Sequence, residues 1–191
     1  MSIENGKIES KYFIERESAV LLIVDIQTRL VPAIADHEQI VHQSSVLLQT
    51  ANLMELPVLA TEQYPRGLGS TVEEIKQDLP EKVVVSEKIS FDACTDEIRQ
   101  ALLASGRKQV IICGMETHVC VYQTVRRLLA DGYEVFVAAD AVGSRTVANK
   151  ENALAMFRQM GAVVSNTETL IFDLLQVAGT PLFKQVSALI K

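Results

Sequence analysis

Gln109-Val-Ile-Ile-Cys113, then Gly114-Met-Glu-Thr-His-Val-Cys120, then Val121-Tyr-Gln-Thr-Val-Arg-Arg-Leu-Leu-Ala-Asp131, follow one another without interruption. The first run is apolar, short and rich in β-branched residues, which reads as a buried strand. The third has helical spacing and stops at Gly132, a C-terminal signal. Between them a glycine turn carries a cysteine to the head of the helix. Backbone N–H groups and the positive end of a helix dipole would favour the thiolate there.

The same alternation continues on both sides. Apolar runs at 19–24, 57–61, 82–85, 109–113, 133–138 and 162–165 read as strands. Helical patterns cover 37–53, 71–79, 95–105, 121–131, 146–160, 166–177 and 181–190. Gly106 and Gly161 end two of them as Gly132 ends the fourth, and Ser70-Thr-Val-Glu-Glu74 opens the second with a cap signal. Repeated βα units predict a single-domain, three-layer α/β/α fold, with a six-stranded, mainly parallel sheet and right-handed crossovers.

At 191 residues the chain is most simply one domain, preceded by a polar extension over residues 1–17. Its hydrophobic fraction of 48% suffices for a full core. The formal net charge is −6 and no basic stripe stands out, so neither nucleic acid nor an anionic membrane is an expected partner. Three cysteines, 94, 113 and 120, show no paired spacing. They read as reduced thiols in a cytoplasmic protein. The N-terminus lacks an apolar signal-peptide core, and the longest clean apolar run, Ala19-Val-Leu-Leu-Ile-Val24, is far too short to span a bilayer.

Ligands bind open α/β sheets at the carboxyl ends of the strands. Asp25 follows the first run, Thr61-Glu62-Gln63 the second, Lys88 the third, Cys120 the fourth and Asp140 the fifth. Two readings are open for Cys120, Asp25 and Lys88. Cys120 is a nucleophile or a buried inert thiol, as Cys113 is within its strand; Cys94 is packing or pocket wall. Asp25 is a partly desolvated base able to take a thiol proton, or a helix cap. Lys88 is an ammonium favouring ionised neighbours, or a solvated surface lysine. Their joint placement at three strand ends favours the functional reading. The turn after the first strand has no Gly-x-Gly-x-x-Gly, which excludes a dinucleotide fingerprint, and no P-loop occurs.

Val24-Asp-Ile-Gln27, Glu87-Lys-Ile-Ser-Phe91 and Gly114-Met-Glu-Thr-His-Val-Cys120 together resemble the signature set of the isochorismatase-like cysteine hydrolases, in family order and spacing. The resemblance spans residues 18 to 175. Thr61-Glu-Gln-Tyr-Pro-Arg-Gly-Leu-Gly69 and Thr180-Pro-Leu-Phe-Lys184 are similar to its subgroup of isochorismatase domain-containing proteins. The resemblance implies that residues 18–191 form the hydrolase domain, with Cys120 the nucleophile, Asp25 the base and later acid, and Lys88 the electrostatic partner. It implies a cis peptide at Met115–Glu116 and an oxyanion hole from the N–H groups of Glu116 and Cys120, each such donor being worth about 3 kcal/mol in comparable sites. The substrate would be a small amide or carbamoyl compound, cleaved through a thioester; the alternatives are a vinyl-ether hydrolase of the isochorismate type, or a non-catalytic member of the fold that binds a small molecule.

Gln27, Glu62, Phe91 and Thr117 are the expected pocket residues, Phe91 either packing on a flat substrate or belonging to the core. Nicotinamidases of the family carry a metal site built on an Asp-x-His and a further His after the second strand. Here that place is Thr61-Glu62-Gln63, and the three histidines are 37, 42 and 118, so no metal or other cofactor is expected. His118 can touch the pocket, or pack or cap within its turn. Asp140 is expected to cap and to support the site wall. The resemblance further implies a homo-oligomer, to which the apolar tail at 182–190 can contribute or, alternatively, cover the sheet edge.

Overall fold

The computed structural model describes residues 12–190. Residues 1–11 of the expected extension lie outside the described residues. Of its remainder, Ile14 is buried in the core and its N–H donates to the Asp173 carboxylate.

The chain alternates β1 (Ala19–Val24), α1 (His37–Leu53), β2 (Val58–Gln63), the short α2 (Pro65–Leu68) and α3 (Glu73–Lys76), β3 (Val84–Lys88), α4 (Asp96–Ser105), β4 (Gln109–Met115), a wide helical turn (Thr117–Val121) running into α5 (Tyr122–Ala130), β5 (Glu134–Gly143), α6 (Val147–Met160), β6 (Val163–Ser165), α7 (Thr167–Leu175) and α8 (Pro181–Leu189). The strands form one sheet in the order β3-β2-β1-β4-β5-β6, every pairing parallel. Strand order reverses between β1 and β4, the crevice where such sheets bind ligands.

Residues alternate between the two faces with the period of two that a strand imposes. Leu21, Ile23, Ile111, Cys113 and Phe136 pack with α1, α7 and α8. Val20, Leu22, Val24, Val110, Ile112 and Val137 pack with α4, α5 and α6, and Cys120 belongs to that second cluster. Both faces are therefore covered, which is why β1 reads as an unbroken apolar run.

Several expected boundaries move. β2 extends through Gln63 and β3 through Lys88, so these residues are the last of their strands and do not lie beyond them as expected. β5 runs to Gly143 and includes Asp140. The helix expected at 71–79 is a single turn, Glu73–Lys76: Thr71 is engaged by Glu62 outside it, and Asp78 and Leu79 make i→i−3 bonds that do not continue it. Helices α4 and α6 end on Gly106 and Gly161, as expected. Gly114 faces Val24 across the β1–β4 pair with φ 129°, and a Cβ there would stand 2.0 Å from the Val24 carbonyl oxygen. Only glycine lets the two central strand ends approach this closely. No helix among the described residues is long and apolar enough to cross a membrane.

Candidate active site

Asp25 leaves β1 with φ 52°, a left-handed conformation uncommon for a residue with a Cβ. Its N–H donates to the Thr61 carbonyl, which continues the sheet pairing by one residue. Its carboxylate is buried, and each oxygen has a donor. The Thr61 hydroxyl donates to Oδ1 at 2.8 Å, and the Lys88 ammonium donates to Oδ2 at 2.6 Å. A buried carboxylate keeps its charge only with such partners.

Lys88 is buried as well. Beyond Asp25, its ammonium donates to Gln63 Oε1 at 2.7 Å and lies 3.4 Å from the carbonyls of Ser90 and Phe91. The solvated-lysine reading is thereby set aside. Ser86, two residues earlier on the same face of β3, donates to Glu97 of α4 and so fixes that face towards α4 and α5.

Cys120 is buried inside the wide turn Thr117–Val121, not at a free helix N-terminus. Val121 N–H reaches back to the Glu116 carbonyl, which widens the turn. The Thr124 hydroxyl donates to the Cys120 carbonyl and accepts from Ala93 N–H, tying this turn to the segment after β3. Burial pushes the Cys120 thiol up to about 12; the Asp25 charge adds to the rise, and Lys88 works against it. A hydrogen bond with the Asp25 carboxyl also raises it, whereas the Glu116 backbone N–H lowers it. The expected helix-terminal stabilisation of the thiolate is thus overruled: desolvation and the nearby anion hold the resting thiol neutral. Cys94 and Cys113 are pushed up too, chiefly by burial. What sets Cys120 apart is its neighbours.

The Met115–Glu116 peptide is cis. The Glu116 carboxylate pairs with Arg145 Nε at 2.6 Å on the surface side of the turn. His118 Nδ1 lies 3.0 Å from the buried Ser144 hydroxyl, so the histidine is tied to the end of β5.

The expected pocket residues divide. Phe91 is 50% exposed, which removes the core reading, and its carbonyl faces the Lys88 ammonium. Thr117 is fully buried, and its hydroxyl has no partner among the described residues. Gln27 and Glu62 both have their side chains engaged by neighbouring backbone and side-chain groups. Gln27 is wholly buried with its amide engaged: Nε2 donates to the carbonyls of Gln63 and Gly69, and Oε1 accepts Gln63 N–H. Glu62 points to the opposite face of β2, where it accepts from the N–H and hydroxyl of Thr71. Both hold the 64–71 loop in place. Asp140 accepts from the N–H and hydroxyl of Thr167, securing the start of α7.

Thr61 and Gln63 stand in the sequence reading only as part of a strand end, with no role assigned, and Thr124 only as part of the helical run. Thr61 and Gln63 stand two apart on β2, opposite Ser86 and Lys88 in register. Period-two alternation from Lys88 is the signal that finds them. A separate cleft of about 520 Å³, lined by His37, His42, Glu38 and Glu74, opens on the α1 side of the sheet, away from Cys120. Among the described residues no group of three His, Cys, Asp or Glu could hold a metal ion.

Residues 19–169 match the model of the isochorismatase domain. The secreted isochorismatase effector Isc1 of Phytophthora sojae is 40% identical over 178 residues, covering 91% of this chain and 85% of that protein. Among solved structures, the MAR1 ribonuclease of Caenorhabditis elegans superposes with a TM-score of 0.89 at 34% identity, covering 93% of this chain and 92% of that one. YcaC of Pseudomonas aeruginosa, described with hexane-2,5-diol and covalent acrylamide, superposes with a TM-score of 0.87 at 25% identity, covering 93% and 91%.

Proposed function

The chain belongs to the isochorismatase family, and on that premise we propose that it is a cysteine hydrolase that cleaves a small amide or carbamoyl-type substrate through a thioester. The observation that carries this reading is the buried Asp25–Lys88 pair beside a neutral Cys120 thiol whose proton the carboxylate can accept.

Asp25 takes the Sγ proton as Cys120 attacks the substrate carbonyl carbon, so the thiolate forms only as it is consumed. The oxyanion of the tetrahedral adduct accepts from the N–H groups of Glu116 and Cys120. Asp25 then gives its proton to the departing nitrogen, the C–N bond breaks and an S-acyl enzyme remains. Water attacks the thioester, passing a proton to Asp25, which returns it to the sulfur as the acid leaves. The charge of the Lys88 ammonium lowers the free energy of each anionic stage.

A panel of amides, ureas and carbamates, run on wild type and Cys120→Ala, tests this reading. Turnover of at least one compound, lost in Cys120→Ala, is the expected result. The covalent acrylamide on YcaC makes acrylamide a fitting second thiol probe. A second reading is vinyl-ether hydrolysis of isochorismate, favoured by the name of the Phytophthora relative. Isochorismate turnover that survives Cys120→Ala would select it. The C. elegans neighbour's name puts RNA in the panel, although a net charge of −6 opposes binding of a polyanion.

A further inference from the structure

Lys88 has a side-chain acceptor, Gln63, that the mechanism does not use. Gln63 is 8% exposed, and its side-chain amide is spent at both ends. Oε1 accepts from the Lys88 ammonium at 2.7 Å, while Nε2 donates to the Ile89 carbonyl at 2.8 Å. The amide therefore grips Lys88 by its charge and by the backbone of the next residue. Gln63 is itself gripped, since its N–H and carbonyl both bond the Gln27 amide. Gln63 and Lys88 are partners in the β2–β3 register, so their side chains share a face.

We propose that Gln63 is a positioning residue that fixes the Lys88 ammonium between Asp25 and the 89–91 backbone, and thereby sets the charge that Cys120 faces. The inference rests on the cysteine-hydrolase reading and adds to it a residue that touches neither the thiol proton nor the substrate.

The chemistry of the amide matters. A neutral acceptor satisfies a buried ammonium without competing for its charge. A carboxylate at the same place would divide that charge between two anions and add negative potential at the thiol. An apolar side chain would leave the ammonium one close acceptor short. In both cases the cation supports the thiolate less well than in wild type, and the carboxylate does the greater harm. The charged groups acting on Cys120 are Asp25 and Lys88, so any displacement of Lys88 falls directly on the thiol.

The test needs no substrate. The rate of Cys120 alkylation by iodoacetamide, located by peptide mass spectrometry, is measured between pH 7 and 9.5 in wild type, Gln63→Glu and Gln63→Met. Gln109→Met is the structural control. Gln109 is 5% exposed, with its amide equally engaged, but it lies at the opposite, N-terminal end of the sheet. Below the thiol's titration the alkylation rate falls about tenfold for each unit by which its pKa rises. The expected result is a parallel displacement of the rate–pH line to higher pH. Alkylation at fixed pH should be about tenfold slower in Gln63→Glu and about threefold slower in Gln63→Met. Gln109→Met should lower Tm and leave the line in place. Superimposable lines for wild type and both Gln63 variants, with Cys120 still the labelled residue, would overturn the proposal even if Tm falls. Failure of Cys120 to label in wild type would instead overturn the hydrolase reading on which it rests.

Discussion

The Lys88 ammonium lies 2.6 Å from Asp25 Oδ2 with both side chains withdrawn from water, although 63 positions separate them in the chain. Removing one member of such a pair leaves the other buried and uncompensated. Lys88→Met is expected to destabilise the fold by about 3–5 kcal/mol, read from urea denaturation. Asp25→Asn combined with Lys88→Met should destabilise by less than the sum of the single changes. Strict additivity would mean that the two charges do not depend on one another.

Thr61→Val keeps the shape of the side chain and removes the hydroxyl that donates to Asp25 Oδ1. A hydrogen bond to a charged acceptor contributes about 1.5–3 kcal/mol. A loss in that range is expected in the same denaturation experiment, together with slower turnover, because one oxygen of the proposed base is then unanchored.

Gly114→Ala probes the crossing of the two central strands. A methyl group would collide with the Val24 carbonyl at a left-handed backbone position. The expected loss is about 3 kcal/mol or more, from backbone strain and overpacking together. An alanine variant as stable as wild type would contradict the described approach of β1 and β4.

Glu97 gives a pH signature. The Ser86 and Thr95 hydroxyls hold its carboxyl below the ordinary value. A depressed folded pKa contributes stability that is present above the unfolded value, about 4.3, and is lost as pH falls through the folded one. Between pH 6 and pH 3 the Tm of wild type should therefore fall more steeply than that of Glu97→Gln. Parallel curves would remove Glu97 from the link between β3 and α4.

The layers and the meeting of Asp25, Lys88 and Cys120 were legible because each has a one-dimensional mark. Apolar β-branched runs announce buried strands, and Asp25, Lys88 and Cys120 are the charged or reactive residues at or shortly beyond their C-terminal ends. Thr61, Gln63, Gln27 and Glu62 were harder, since an uncharged or lone polar residue near a strand end shows nothing of what it bonds. Their partners come from other strands, and only the parallel register assigns them: Thr61 and Gln63 to the Asp25–Lys88 side, Glu62 to the other. The helix expected at 71–79 starts later for a related reason. Thr71 reads as part of a cap signal, but its N–H and hydroxyl are claimed by Glu62, a tertiary bond that local sequence does not encode. The thiol illustrates the same competition, for a dipole favouring the thiolate is visible in sequence, whereas the burial and the anion that outweigh it are not.

Replacing Asp25 by Asn separates thiol reactivity from hydrolysis. The Asp25 charge raises the Cys120 thiol, and its removal leaves Lys88 unopposed beside the sulfur. Measured side by side, Asp25→Asn should be alkylated at Cys120 faster than wild type at pH 7.5, while turnover of the best amide or carbamoyl substrate falls by about 10²–10⁴-fold for want of a proton carrier. Slower alkylation of Cys120 in Asp25→Asn, or turnover that survives the substitution, would contradict a carboxylate that serves this thiol as base and acid.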